Sequence, residues 1–106
     1  MTQLVTVVET PAYLSKASRI MTTGEMSEAV NMVATAPLSG DVIKGTGGLR
    51  GKRGGGRIIY WFHNEGFPAV LLWAFAKNET SNLTAAQQTA LTKATAGLLD
   101  DFRSSR

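Results

Sequence analysis

A chain of 106 residues with 11 Lys/Arg, 8 Asp/Glu, one histidine and no cysteine makes a single domain, residues 1–106, with a modest core; it excludes a disulfide framework and a thiolate metal site. The formal charge of +3 is local, because Lys44, Arg50, Lys52, Arg53 and Arg57 all fall between Val42 and Asn64, where there is no acid, and the remaining six bases face eight acids, a net of −2. The longest apolar run, Ala69 to Ala76, is too short to cross a bilayer and the start of the chain lacks a basic leader, so the sequence reads as a soluble, cytoplasmic protein without a membrane partner.

In chain order, Leu4 to Glu9 is rich in Val and Thr and predicts a strand. Thr10-Pro11 supplies an N-cap followed by proline at the first helical position, which starts a short helix running to about Met21. Thr22-Thr23-Gly24-Glu25 reads as a capping box, and Met26, Ala29, Val30 and Val33 recur behind it at helical spacing, so a second helix follows and ends at Pro37 to Gly40. The stretch from Val42 to Asn64 holds seven of the eleven glycines beside its five cations and, over its first part, predicts a mobile loop that grips phosphate. Arg57 to His63 and Ala69 to Ala76 are apolar, aromatic runs separated by Asn64-Glu65-Gly66-Phe67-Pro68, the pattern of a hairpin. A last helix opens at Thr84 with Gln87 three residues on, and carries Gln87, Leu91, Ala94, Leu98 and Phe102 in one stripe. The order predicts an α+β fold: a small antiparallel β-sheet with two N-terminal helices and a C-terminal helix.

Several chemistries fail on spacing. A nucleotide-binding phosphate loop needs a glycine where Thr46 stands and a hydroxyl where Arg53 stands. One histidine leaves too few ligands for zinc, and the carboxylates are scattered, so neither a metal nor a cofactor is expected. The surviving pattern is a site for negative charge on a phosphate. Cleaving RNA through its 2′-OH requires activation of that hydroxyl, stabilisation of a pentavalent phosphorus and protonation of the 5′-oxygen, and Lys or Arg supplies the second. The candidates are Lys52, Arg53, Arg57 and Lys77. Arg57 opens one predicted strand and Lys77 closes the next, so an antiparallel hairpin brings them to one end of the sheet.

Each candidate also has a plainer reading. A glycine- and lysine-rich stretch is often a solvated loop, and His63 beside a turn is a surface residue as readily as an acid or base. Trp61 and Phe62 could stack on bases, but they point to opposite faces of a strand, so at least one belongs to the core. Glu79 either orients a basic residue or forms an exposed ion pair. Thr46 is most simply a turn residue.

Three ordered motifs add a resemblance. Gly40 to Arg50, then Gly51-Lys52-Arg53-Gly54-Gly55-Gly56-Arg57-Ile58-Ile59-Tyr60, then Ala76-Lys77-Asn78-Glu79 resemble, in order and type, the HigB-like branch of the RelE toxin superfamily, and the likeness extends over nearly the whole chain. It implies a small antiparallel sheet with helices packed on it, and the activity of a type II toxin: a metal-independent endoribonuclease, or mRNA interferase, that cleaves translated mRNA in the ribosomal A site. The implied partners are the ribosome with its mRNA and a cognate helix-turn-helix, HigA-like antitoxin. The implied catalytic residues are Arg57, Lys77 and Lys52, and the implied RNA contacts are Arg50, Lys52, Arg53, Arg57, Lys77 and Asn78. The other function class is a catalytically degenerate homologue that binds antitoxin or RNA without cleaving.

That family's pattern has a further strand and turn between Leu49-Arg50 and Gly51-Lys52, roughly 8 to 10 residues. Losing a strand would leave its neighbour's backbone groups unpaired. The expectation is therefore that residues are skipped at Arg50–Gly51 or Leu49–Arg50, with a Cα separation well beyond the usual spacing of about 3.8 Å.

Overall fold

The computed structural model describes residues 4–43, 46, 48–53, 56–64, 66–79 and 83–104, with the side chains of Arg53, Leu99 and residues 102–104 outside the description. Lys44, Glu65 and most of the glycines read as loop lie outside the described residues, as does the side chain of Phe102. Strand β1 (Val7–Glu9) leads into α1 (Pro11–Ile20) and α2 (Thr23–Thr35); β2 (Asp41–Val42), β3 (Leu49–Arg53), β4 (Gly56–Trp61) and β5 (Ala69–Ala76) follow, and α3 (Ala85–Ser104) ends the chain. The fold is α+β, as the pattern predicts, with a sheet in the order β1-β5-β4-β3-β2. The sheet is mostly antiparallel. Its exception is β1, which runs parallel to β5 with Val7 beside Ala69 and Glu9 beside Leu71.

Local chemistry sets the helix starts. Thr10 Oγ1 accepts the Tyr13 N–H at 3.2 Å and donates to the Leu71 carbonyl at 2.8 Å, so one hydroxyl both caps α1 and ties it to β5. At α2 the capping box is complete, with Thr22 accepting from Glu25 N at 3.1 Å and Glu25 accepting from Thr22 N at 2.8 Å. Thr84 and Gln87 make the same reciprocal pair at 3.1 and 2.9 Å.

Strands β4 and β5 are buried on both faces, and alternation sorts their side chains. Ile58, Tyr60, Phe62 and Leu71 join Tyr13 and Ala17 of α1 and Ala29 and Val33 of α2 in one core. Leu49, Trp61, Val70 and Leu72 form a second core on the opposite face, against Leu91 and Leu98 of α3. Trp61 and Phe62 are thus both core residues, 4 % and 9 % exposed, which leaves little of either ring open to a base. On α3 the inward row is Leu91, Thr95 and Leu98, with Ala94 exposed, a correction of one position to the expected stripe.

The expected gap at Arg50–Gly51 does not exist. Leu49 to Arg53 is itself a strand, paired without interruption to Trp61 to Arg57 and, through Arg50 and Gly51, to Val42 and Asp41. Glycine and cations make this stretch look like a loop, but the burial of Leu49 and pairing on both edges override that local preference. The reversal between β2 and β3 uses Gly48 at φ 113, a conformation that favours glycine. It also uses Thr46, fully buried, whose hydroxyl donates to the Ile43 carbonyl and accepts the Leu49 N–H.

Two buried tyrosines respond oppositely to the same substitution. Tyr60 Oη donates to the Pro37 carbonyl at 2.7 Å and accepts the Gly40 N–H at 3.0 Å, fastening the α2–β2 connection to the central strand. Tyr13 Oη is buried with no hydrogen-bond partner among the described residues, and burial, reinforced by the Glu9 carboxylate, pushes its pKa up to about 12. Tyr60→Phe should cost about 1–3 kcal/mol because it strands a buried N–H, whereas Tyr13→Phe should be neutral or stabilising because it removes an unsatisfied hydroxyl. Urea unfolding of both variants checks the pair; equal losses would contradict this assignment of hydrogen bonds.

Candidate nucleic-acid interface

Register alone brings three cationic positions, Arg53, Arg57 and Lys77, to one end of the sheet. Gly56 pairs with Ala76 and Arg57 with Phe75 across β4 and β5, so Lys77, the next residue after β5, lies at the end where Arg57 enters the sheet. On the other side of β4, Arg53 stands directly opposite Arg57. The expected convergence of Arg57 and Lys77 therefore holds at the level of the backbone. The half-buried Arg57 side chain leans diagonally across β3. A Cβ built on Gly51 would fall 2.6 Å from Arg57 Nε and 2.8 Å from Nη2, so the guanidinium lies over that glycine, on the face shared with Trp61 and α3.

Lys77 and Asn78 are exposed at the turn that closes β5, and the residue after them fixes that turn. Glu79 Oε1 accepts the Ala76 N–H at 2.9 Å, while its own N–H donates to the Ala76 carbonyl at 3.1 Å. Its other oxygen takes Lys16 Nζ of α1 at 3.0 Å. Lys16 in turn lies 5.2 Å from the Trp73 ring centroid and 5.6 Å from that of Phe75, and its side chain is only 16 % exposed. Glu79 thus forms an exposed ion pair, one of the two readings its sequence position allowed. The base is Lys16, which sequence reasoning missed. The two residues are 63 positions apart, and only the tertiary path of α1 along β5 brings them together.

The remaining candidates are not brought to this surface together. Arg50 and Lys52 stand opposite Tyr60 and Ile58, so alternation places them on the face of α1 and α2, across the sheet from Arg57. Arg50 Nη1 donates to the carbonyls of Gly40 at 2.9 Å and Leu38 at 3.2 Å, where it braces the α2–β2 connection. His63 is exposed at the far end of β4, stacked on Trp61 at 6.1 Å and edge-on to Phe67 at 5.2 Å. Thr46 acts as the turn residue it resembles and gains a tether to α3, since Thr92 Oγ1 donates to its carbonyl at 3.2 Å. Among the described residues no three His, Cys, Asp or Glu side chains come together.

The Ala76 N–H and Lys16 hold the Glu79 carboxyl below its ordinary value of 4.5. A carboxylate whose folded pKa lies below its unfolded one stabilises the fold fully above about pH 4.5, and the contribution disappears as pH falls through the folded pKa. Glu79→Gln should therefore lower the urea midpoint at neutral pH, with the gap to the parent closing on acidification below 4.5. A gap independent of pH would mean that the carboxylate charge contributes nothing. No protein-family model matches the chain, and what this surface does has to be argued from its side chains.

Proposed function

We propose that the protein is a metal-independent endoribonuclease that acts on translated mRNA, the toxin of a toxin–antitoxin pair. The observation that carries this reading is the placement of Arg57 and Lys77 at one end of the sheet by the β4–β5 register. It is supported by the order of the motifs around Gly51-Lys52-Arg53, Arg57 and Lys77-Asn78-Glu79, which resemble those of HigB-like toxins. In the proposed reaction the 2′-oxygen of one nucleotide attacks the adjacent phosphorus and the bond to the 5′-oxygen breaks. The proton leaves the 2′-OH and the 5′-oxygen is protonated, giving a cyclic phosphate and a 5′-hydroxyl. Arg57 and Lys77 offset the extra negative charge on the pentavalent phosphorus, and Asn78 contacts the RNA beside them. Arg53 is the position opposite Arg57 on β3, Lys52 stands on the other face of the sheet, and contacts of cations with phosphate make binding salt-dependent.

An antitoxin silences such a surface most directly by covering apolar area and neutralising its cations, and the proposed partner is a helix-turn-helix protein acting in that way. A non-catalytic homologue is favoured by one observation. Arg50 is engaged with loop carbonyls and Lys52 lies on the opposite face from Arg57, which thins the cationic cluster at the end of the sheet.

Arg57→Ala separates the readings. Loss of one preorganised donor to a developing oxyanion costs about 2.7 to 4 kcal/mol, on the order of 10²- to 10³-fold in rate. The expected result is loss of growth arrest on expression in bacteria and loss of primer-extension stops on translated mRNA, with the fold intact. Normal growth with the parent sequence would favour the non-catalytic homologue, and full toxicity of the variant would remove Arg57 from the site.

A further inference from the structure

We propose that Gly51 is a positioning residue, whose missing side chain seats the Arg57 guanidinium across β3 so that it meets an RNA phosphodiester from the α3 face of the sheet. This rests on the reading of Arg57 given above. Gly51 sits in the middle of β3, paired to Ile59 on one side and Asp41 on the other. A doubly paired strand interior is where glycine weakens a sheet, having no side chain to pack and the most freedom to lose. Its backbone makes no demand for glycine, since Gly48 alone takes a positive φ among the described residues. Only the space above it requires the absence of a side chain.

The three atoms nearest to a Cβ at position 51 are Arg57 Nε at 2.6 Å, Nη2 at 2.8 Å and Cζ at 3.1 Å. Other glycines of the sheet region differ in kind. A Cβ on Gly56 would lie 2.4 Å from the Phe75 carbonyl oxygen, and one on Gly40 would lie 2.6 Å from Tyr60 Oη and 3.0 Å from the Gly51 carbonyl oxygen. Those positions are held by main chain or by a buried, doubly bonded phenol, so substitution there strikes the fold. At position 51 the obstacle is the far end of a flexible side chain, which yields while the strand stays. A Cβ at position 51 therefore displaces the Arg57 guanidinium from its seat over β3.

The test is a double-mutant cycle with Gly51→Ala, Arg57→Ala and the pair, read by urea unfolding and by single-turnover cleavage of ribosome-bound mRNA. A shift of about 1 Å in a charge-stabilising group costs on the order of 10²-fold, so Gly51→Ala should lower the cleavage rate at saturating ribosome by that order with KM little changed. Added to Arg57→Ala it should cost nothing more in rate, and it should leave the unfolding midpoint of that variant unchanged or raised. Parent-like cleavage by Gly51→Ala, with Arg57→Ala inactive, would overturn the positioning role and leave the site reading intact. Parent-like cleavage by Arg57→Ala would instead end the site reading and the role of Gly51 with it. If Gly51→Ala alone fails to fold, the midpoint decides: a pair as stable as Arg57→Ala upholds the seat, and a pair that also fails to fold overturns it.

Discussion

The pairing of β4 with β5 is the constraint on which the rest of the structure depends. Both strands are buried on both faces, so neither face of the sheet can be left to water. A chain with one helical layer could cover only one of them. The α1–α2 pair covers the face of Ile58, Tyr60 and Leu71, and α3 the face of Trp61, Val70 and Leu72. The register shift between Ile59 and Tyr60 reconciles β5 with its partner: Ile59 pairs with Trp73 and Tyr60 with Leu71, so Leu72 is the extra residue. Leu72 can therefore enter the α3-side core while Ala74, two residues on, enters the other.

The same pairing decides where charge can go. The apolar residues occupy the middle of β4 and β5, and Arg57 and Lys77 stand at the end where β4 starts and β5 closes. Arg57 pairs with Phe75, two residues before Lys77, and the environments of the two cations differ. Arg57 lies over the glycine of β3, whereas Lys77 projects from a turn held on its far side by Glu79. Lys16 shows what a lysine ammonium does beside apolar rings near this end: it is screened from water by Trp73 and Phe75 and neutralised by a carboxylate. A charge enclosed in this way braces the junction of α1 with β5 and leaves Lys77 as the outward cation of that corner.

Much of this was legible in the sequence because it is local. The caps at Thr10, Thr22 and Thr84 are written in three or four consecutive residues, and the hairpin of β4 and β5 in two apolar runs with a turn between them. The turn itself closes as its composition suggests, with Asn64 Oδ1 accepting the Gly66 N–H at 2.7 Å and the Asn64 carbonyl accepting the Phe67 N–H at 3.0 Å. What could not be read was set by partners distant along the chain. Leu49 to Arg53 has the composition of a loop and becomes a strand because Trp61 to Arg57 and the short β2 flank it. The parallel placement of β1 beside β5 depends on a partner reached only after α1, α2 and three further strands, and the association of Lys16 with Glu79 on the path of α1. The convergence of Arg57 with Lys77 was readable because it needs only an antiparallel hairpin.

Conversion of that loop into a strand changes how the basic segment can act. A mobile loop would wrap a phosphate and pay in ordering entropy at each encounter, since every residue it fixes loses backbone freedom. A strand has already lost that freedom on folding. Its side chains are also sorted, because successive residues of β3 face opposite layers: Arg50 and Lys52 toward α1 and α2, Gly51 and the backbone position of Arg53 toward α3. On the proposed reading, an RNA strand approaching the α3 face at the end of the sheet would therefore meet Arg57 in a defined orientation, with Lys77 across β4 from β3. Arg50 would be holding the α2–β2 connection from the other side. A site of this kind has fewer cations than the composition promises, and each of them is better placed.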